Sequence, residues 1–143
     1  MTIKNQDIQS KDGNEITVHL AGTLAQTAAN YGVFFIANRP IEIMKIKEVH
    51  TVAGNDAGAV TLQIEKLTGT TALDSGSTLL TTAFNLKSTA NTVVSYEGQG
   101  LTTSRQLVEN DRLALKDAGT LTNLEGVCVT VYYKYLGAGH YLI

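Results

Sequence analysis

Short apolar stretches with a period of two residues, separated by turn residues, run through most of this sequence. In a β-strand successive side chains point to opposite faces, so each such stretch predicts a strand. The stretch from Leu124 to Leu136 is the clearest, and we expect it to form the longest strand. It places two sets of side chains on opposite faces: Val127, Val129, Val131, Tyr133 and Tyr135 on one, and Cys128, Thr130, Tyr132 and Lys134 on the other.

About eight or nine stretches of this kind follow one another at intervals of roughly 8 to 15 residues, and no segment has the spacing of an amphipathic helix. A chain with this pattern folds as a sandwich or a barrel. Eight strands in two antiparallel sheets form a jelly roll, and an immunoglobulin-like sandwich is the alternative. The sequence therefore predicts an all-β fold, an antiparallel β-sandwich of about eight strands, of the jelly-roll type.

The composition of the chain ends divides the sequence into three parts. Residues 1–14 are polar, with Ile3 and Ile8 as isolated apolar residues, and this pattern predicts an N-terminal arm. Residues 15–136 contain the alternating stretches and predict the sandwich domain. Residues 137–143 predict an apolar tail that follows a glycine hinge.

Three local patterns predict details of the sandwich. The apolar phase changes by one residue near Ile43 and Met44, which predicts a β-bulge at that point. The turn residues from Gly54 to Gly58 predict a hairpin between the strands on either side. The stretch from Thr68 to Thr78 is mostly Thr, Gly and Ser, which predicts an exposed loop.

The charge pattern argues against a nucleic-acid or membrane partner. Eleven Lys and Arg residues and thirteen Asp and Glu residues give a net charge of −2, and the basic residues are scattered rather than clustered on one stretch. No run approaches the roughly 18 to 20 apolar residues of a membrane span, and the first residues lack the apolar segment of an export signal. Charged residues make up 17% of the chain, below the typical figure of about 25%. A neutral, Thr-rich surface fits a domain packed against neighbours in an assembly, although Thr also favours exposed strands.

The histidines and serines do not form the spacings of a metal site or a catalytic triad. His19, His50 and His140 lie far apart, and none has a second ligand at a metal-binding spacing. We expect His19 to be exposed and His50 to be partly buried with a hydrogen-bond partner. The stretch from Asp74 to Ser77 lacks the Gly-x-Ser-x-Gly elbow of a nucleophilic serine. The sequence predicts no metal site, no cofactor and no catalytic residues.

A pair of carboxylates remains the only catalytic alternative. Glu65, Glu97, Glu109 and Asp111 could meet in space, as the two carboxylates of a glycosidase do. Clefts that cleave sugars usually provide aromatic stacking surfaces, and this chain contains no Trp. We therefore predict that the protein is not an enzyme.

The single cysteine and four of the six tyrosines lie near the C-terminal end. Cys128 lies in an apolar run, where a thiol behaves as a small hydrophobe, so we expect it to be buried and inert. The tyrosines of this region could form a platform for glycans or proteins, or could complete the rim of the core. This group comprises Tyr132, Tyr133, Tyr135 and Tyr141.

The order of several strands and turns resembles a known family. The segments that carry the resemblance are Val60–Lys66, Gly69–Thr70, Gly76–Leu80, Phe84–Lys87, Thr89–Val93, Glu109–Leu115 and Gly119–Val131. Together they are similar to the small jelly-roll virion structural proteins of tailed bacteriophages, of the head-decoration or head-fibre type. The polar arm and the tyrosine-rich C-terminus depart from that family.

The resemblance implies a non-enzymatic protein that binds the capsid surface and its own copies, as a decoration, cement or head-fibre protein. It implies that the partners are the major capsid protein or other virion proteins, that the chain forms a homotrimer, and that it resides in a virion assembled in the host cytoplasm. The alternative is a tail-associated or receptor- and glycan-binding module. Candidate partner contacts are Ile3, Ile8, Tyr132, Tyr141, Leu142 and Ile143, because the apolar residues at the ends have little of their own domain to pack against.

Overall fold

A computed structural model of the chain describes residues 13–20 and 32–137. Within those residues ten strands form two antiparallel sheets that pack face to face. Sheet A contains β1 (Asn14–His19), β3 (Ile41–Val49), β7 (Val94–Glu97), β8 (Gln106–Leu107) and β10 (Cys128–Tyr135). Sheet B contains β2 (Val33–Ile36), β4 (Thr61–Leu67), β5 (Ser77–Thr78), β6 (Phe84–Asn85) and β9 (Arg112–Ala118). Two short 3-10 turns, Gly98–Gly100 and Thr103–Arg105, separate β7 from β8.

The order of strands is that of a jelly roll. Sheet A runs β1-β10-β3-β7 and sheet B runs β2-β9-β4-β5, so the long strands alternate between the two sheets along the chain. The predicted all-β, antiparallel sandwich is confirmed. The structure has more than the expected eight strands because β5, β6 and β8 are two-residue strands, too short for a period of two to show in the sequence.

The core lies between the sheets and is made by the inward side of each strand. On β10, Val129 and Val131 are fully buried, whereas Thr130 and Tyr132 on the opposite side are half-buried. Burial of one such aliphatic side chain contributes about 1.5–3 kcal/mol, so the alternation alone fixes which side of the strand faces inward. The largest fully buried side chains are Phe84, Ile41, Ile43, Ile46, Leu62, Ile64, Leu67, Leu79, Leu80, Leu86, Leu107 and Leu113.

Two aromatic pairs show which strands lie across from one another. The rings of Phe35 on β2 and Tyr133 on β10 are 5.2 Å apart, and those of Phe84 on β6 and Tyr96 on β7 are 5.1 Å apart. β1 is an edge strand of sheet A, next to β10. Ile16 and Val18, on its inward side, pack against the core and are only half-buried.

The predicted bulge is present, and the predicted hairpin is not. Tyr132 pairs with Lys45 and Tyr133 with Ile43, so Met44 is the extra residue of the bulge and is 40% exposed. The hairpin prediction is wrong, because β3 and β4 lie in different sheets. The turn residues between them instead form a crossover tied to other loops: Gly54 N–H donates to the carbonyl of Leu86 at 3.0 Å.

The strand predicted over Leu124 to Leu136 starts later than its apolar pattern. Asn123 and Gly126 have positive φ angles of 62° and 67°, which interrupt an extended strand before Cys128. As a result β10 has eight residues, one fewer than β3, so the prediction that it would be the longest strand is wrong. The two faces predicted for it are confirmed.

Candidate functional site

The four carboxylates that could have formed a catalytic pair are not paired with one another within the described residues, and two of them bind backbone N–H groups. The buried Glu65 accepts hydrogen bonds from the backbone N–H groups of Asp74 at 2.6 Å and Gly76 at 2.8 Å. Asp111 accepts one from the backbone N–H of Val108 at 2.9 Å and closes a turn. Glu97 and Glu109 are exposed, and no interaction among the described residues joins any two of the four carboxylates.

A buried hydrogen-bonded pair holds the segment before β7. Glu48 lies on the inward side of β3 and His50 directly follows the strand, both with fully buried side chains, and Glu48 Oε2 is 2.8 Å from His50 Nδ1. His50 Nε2 donates to the carbonyl of Ser88 at 2.9 Å, and its carbonyl accepts from the N–H of Asn91 at 2.7 Å. The predicted hydrogen-bond partner is confirmed, although His50 is buried completely rather than partly. Burial raises the pKa of Glu48, and the hydrogen bond and positive charge of His50 oppose that shift.

Asp117 is a buried carboxylate of a different kind. It lies on β9 opposite the core residue Leu62, and neither of its oxygens has a hydrogen-bond partner among the described residues. Burial raises its pKa from 3.8 to about 6, the attraction of its own backbone N–H opposes the shift, and the negative charge of Asp74 adds to it. A charge kept in this position lowers the stability of the fold.

The tyrosines divide between the two roles considered for them. Tyr133 lies between Phe35 and Tyr135, with ring centroids 5.2 Å and 5.9 Å away, and the guanidinium of Arg39 lies 4.1 Å from the Tyr135 ring. Burial, followed by the proximity of Tyr135, raises the pKa of Tyr133. These two tyrosines complete the rim of the core. Tyr132 is on the outward side of β10, and Tyr141 lies outside the described residues.

The outward faces of the two sheets differ in how much of them is covered. On sheet B the segment between β4 and β5 packs over the outward side, so Glu65 and Leu67 are fully buried there. Gly76 in that segment has no room for a Cβ, because one would collide with the Lys66 carbonyl and the Leu67 side chain. The outward residues of sheet A are all exposed or half-buried. Sheet A therefore offers the flat, accessible face of the sandwich.

The centre of that face has a defined composition. We call the outward residues of three adjacent strands, Thr17 on β1, Thr130 and Tyr132 on β10, and Lys45 and Lys47 on β3, the sheet A outer surface. The Nζ atoms of Lys45 and Lys47 lie 5.7 Å and 5.4 Å from the centroid of the Tyr132 ring, within the range of a cation–π contact. Thr17 and Thr130 share a hydrogen bond of 3.0 Å between their hydroxyl oxygens.

Cys128 lies beside this surface and corrects the prediction of its burial. It is half-buried on the outward side of β10, with His19 on β1 and Val49 on β3 as cross-strand neighbours. The prediction was wrong because, among the described residues, a segment packs over the outward face of sheet B and none packs over that of sheet A. His19 is exposed, as predicted.

Of the six predicted contact residues, the structure places only Tyr132. Ile3, Ile8, Tyr141, Leu142 and Ile143 lie outside the described residues. Sequence reasoning missed Lys45 and Lys47 as neighbours of Tyr132. They stand at alternate positions of one strand, which was the available signal, but the sequence does not show that this strand lies next to β10.

Residues 13–20 and 32–137 contain no cluster of three or more His, Cys, Asp or Glu side chains able to hold a metal ion. They also contain no helix long and apolar enough to cross a membrane.

The fold and the open polar face define the chain as a jelly-roll domain with an accessible sheet. Its sequence matches no protein-family model and no curated protein. Its structure is similar to a chain in the capsid of Ralstonia phage GP4, with a TM-score of 0.56 and 14% identity over 87% of this chain and 84% of that one. A chain of the cyanophage Pam1 capsid asymmetric unit gives 0.53 and 14% over 88% and 86%. At this identity the likeness shows a shared fold.

Proposed function

We propose that this protein is a non-enzymatic structural component of a bacteriophage virion, which binds the capsid surface and its own copies in a decoration, cement or head-fibre role. The observation that carries the proposal is the jelly roll shared with chains of two phage capsids over most of the length of both partners. Two of the buried carboxylates, Glu65 and Asp111, support it further, because they accept hydrogen bonds from backbone N–H groups of loops.

The proposal is tested by the protein's presence and copy number in purified phage particles. We expect mass spectrometry and a map of the particle to find hundreds of copies on the capsid surface. A few copies at one vertex or on the tail would favour a tail-associated or receptor-binding module. Absence from particles that were assembled in the presence of the protein would contradict a virion role altogether.

The chain ends are the proposed contacts with the shell. We expect deletion of residues 1–12, which removes Ile3 and Ile8, to weaken binding to undecorated capsids. Deletion of residues 140–143, which removes Tyr141, Leu142 and Ile143, should have the same effect. Neither deletion should lower the melting temperature of the isolated domain by more than a few degrees, because the proposal places these residues against the shell and not in the core of the sandwich. Normal capsid binding by both truncated chains would place the contacts on the sheets or loops.

A further inference from the structure

Lys45 and Lys47 differ from the other lysines that the structure describes. The remaining four each direct the ammonium group at an oxygen: Lys66 at the Gln106 carbonyl, Lys87 at the Gly58 carbonyl, Lys116 at the Asp74 carboxylate and Lys134 at the Glu42 carboxylate. Lys45 and Lys47 have no oxygen partner within residues 13–20 and 32–137, and both lie over the ring of Tyr132. Within the described residues, the two ammonium groups at the centre of the sheet A outer surface form no ion pair, although Glu97 is the cross-strand neighbour of Lys45.

The spacing of these two charges matches an extended chain. Lys45 and Lys47 are two residues apart on one strand, which separates their backbone positions by roughly 7 Å. A second extended chain that runs along β3 presents side chains on one face at the same interval. Its side chains at alternate positions would meet the two ammonium groups one by one.

The neighbours of the lysines indicate where an anionic chain fits. The row of cross-strand partners through Lys47 consists of Thr17, Thr130 and Ser95, all hydroxyl side chains. The row through Lys45 ends in a carboxylate on each side, Glu15 on β1 and Glu97 on β7. An acidic segment that crossed the sheet along this second row would pass over both carboxylates, whereas one that runs lengthwise over β3 and β10 passes between them.

We propose that the sheet A outer surface binds an extended acidic protein segment whose carboxylates occupy alternate positions. Lys45 and Lys47 each pair with one carboxylate, the Tyr132 ring holds the two lysine side chains in place, and the hydroxyls of Thr17 and Thr130 add hydrogen bonds. This inference adds a contact surface to the proposed binding to the capsid. It rests on the proposed function only in that the acidic segment is expected on a virion protein.

The test uses the full chain and a synthetic peptide, Gly-Thr-Glu-Thr-Glu-Thr-Gly, with blocked ends. At low ionic strength, about 20 mM, an amide NMR titration should give saturable shifts at residues 45–47 and 130–132. The double variant K45Q/K47Q should bind the peptide about three- to tenfold more weakly. K87Q/K116Q makes the same change in net charge on lysines that already have oxygen partners, and it should bind like the wild type.

Three results would overturn the proposal. They are the absence of saturable shifts with the glutamate peptide, equal shifts with a peptide that carries Gln in place of Glu, and equal weakening in the two double variants. The outcome is independent of the virion role, because a chain that binds the peptide and fails to bind capsids contradicts only the proposed function. A chain that binds capsids equally well as wild type and as K45Q/K47Q contradicts only this surface as the contact.

Discussion

The two ring nitrogens of His50 determine how many protons the buried Glu48–His50 pair holds. Nε2 lies 2.9 Å from the Ser88 carbonyl, which can only accept, so Nε2 carries a hydrogen. Nδ1 lies 2.8 Å from Glu48 Oε2, and a hydrogen bond there requires one proton between the two atoms. The pair is neutral whichever atom holds that proton. Its loss would leave a carboxylate facing a lone pair in the core.

Replacement of Glu48 by Gln separates the effect of this proton from that of packing. Burial raises the pKa of Glu48 above its ordinary 4.5, so the stability tied to its proton is present below pH 4.5 and is lost as the pH rises through the raised value. Gln keeps a hydrogen-bond donor toward Nδ1 and does not titrate. We expect wild type and E48Q to have similar melting temperatures in acid. As the pH rises, the melting temperature of wild type should fall below that of E48Q. An equal dependence of the two melting temperatures on pH would contradict this proton count.

Asp117 gives a second pH-dependent prediction with a defined window. Its pKa in the folded protein is about 6, against 3.8 ordinarily, so the folded state binds more protons between these values and stability falls as the pH rises through them. At about 1.4 kcal/mol per pKa unit, D117N should gain about 3 kcal/mol relative to wild type between pH 3.8 and neutrality. Urea unfolding at several pH values measures this. E109Q, at an exposed carboxylate, is the control, and an equal gain there would refute the assignment to Asp117.

At the scale of elements, the Glu65 carboxylate attaches the segment between β4 and β5 to the outward side of sheet B. Its two oxygens accept from Asp74 and Gly76, and this holds the segment between β4 and β5 over Leu67. In E65Q only one oxygen remains, and the amide group would face the second N–H. We expect a loss of about 2 kcal/mol or more in unfolding free energy and faster proteolysis between residues 68 and 76. Unchanged proteolysis would show that the segment is held by its other contacts.

Periodicity predicted those elements in which burial differs between the two sides of a strand. The faces of β10 and the bulge at Met44 followed from the sequence, because a one-residue shift moves apolar side chains to the wrong side. The crossover after β3 did not, because Gly and Asn residues favour a tight turn without specifying the sheet that receives the next strand. Burial of Cys128 also could not be predicted from its own strand, since it depends on whether a distant segment covers that face.

The candidate surface was predictable only in part for a related reason. Tyr132 was placed correctly on the side opposite Val131, because both belong to one regular strand. Its contacts with Lys45 and Lys47 depend on β3 lying next to β10, and these strands are more than eighty positions apart in the sequence. Long-range strand pairing of this kind is decided by the whole sandwich rather than by local pattern.

At the scale of the whole molecule, β1 is an edge strand of sheet A whose inward side chains are incompletely buried. Ile16 and Val18 pack against the core and are still only half-buried. A neighbouring copy that packed against this edge would bury apolar area that the isolated domain leaves accessible. One such contact per copy, repeated around an axis, closes into a ring.

We expect the edge formed by β1 to contribute to the contact between copies in the predicted homotrimer. The prediction comes from the resemblance to phage virion proteins, and the half-buried inward side of the edge strand β1 provides an apolar place for the contact. At micromolar concentration, size-exclusion chromatography with light scattering should give a mass three times the 15.3 kDa of one chain.

Substitution of Val18 by Thr lowers the apolar area at the edge with little change in volume. It should shift the equilibrium towards monomer, whereas Thr17→Val, on the outward side of the same strand, should not. A chain that is monomeric in solution and on the particle would contradict the trimer. A trimer insensitive to both substitutions would place its interface away from β1.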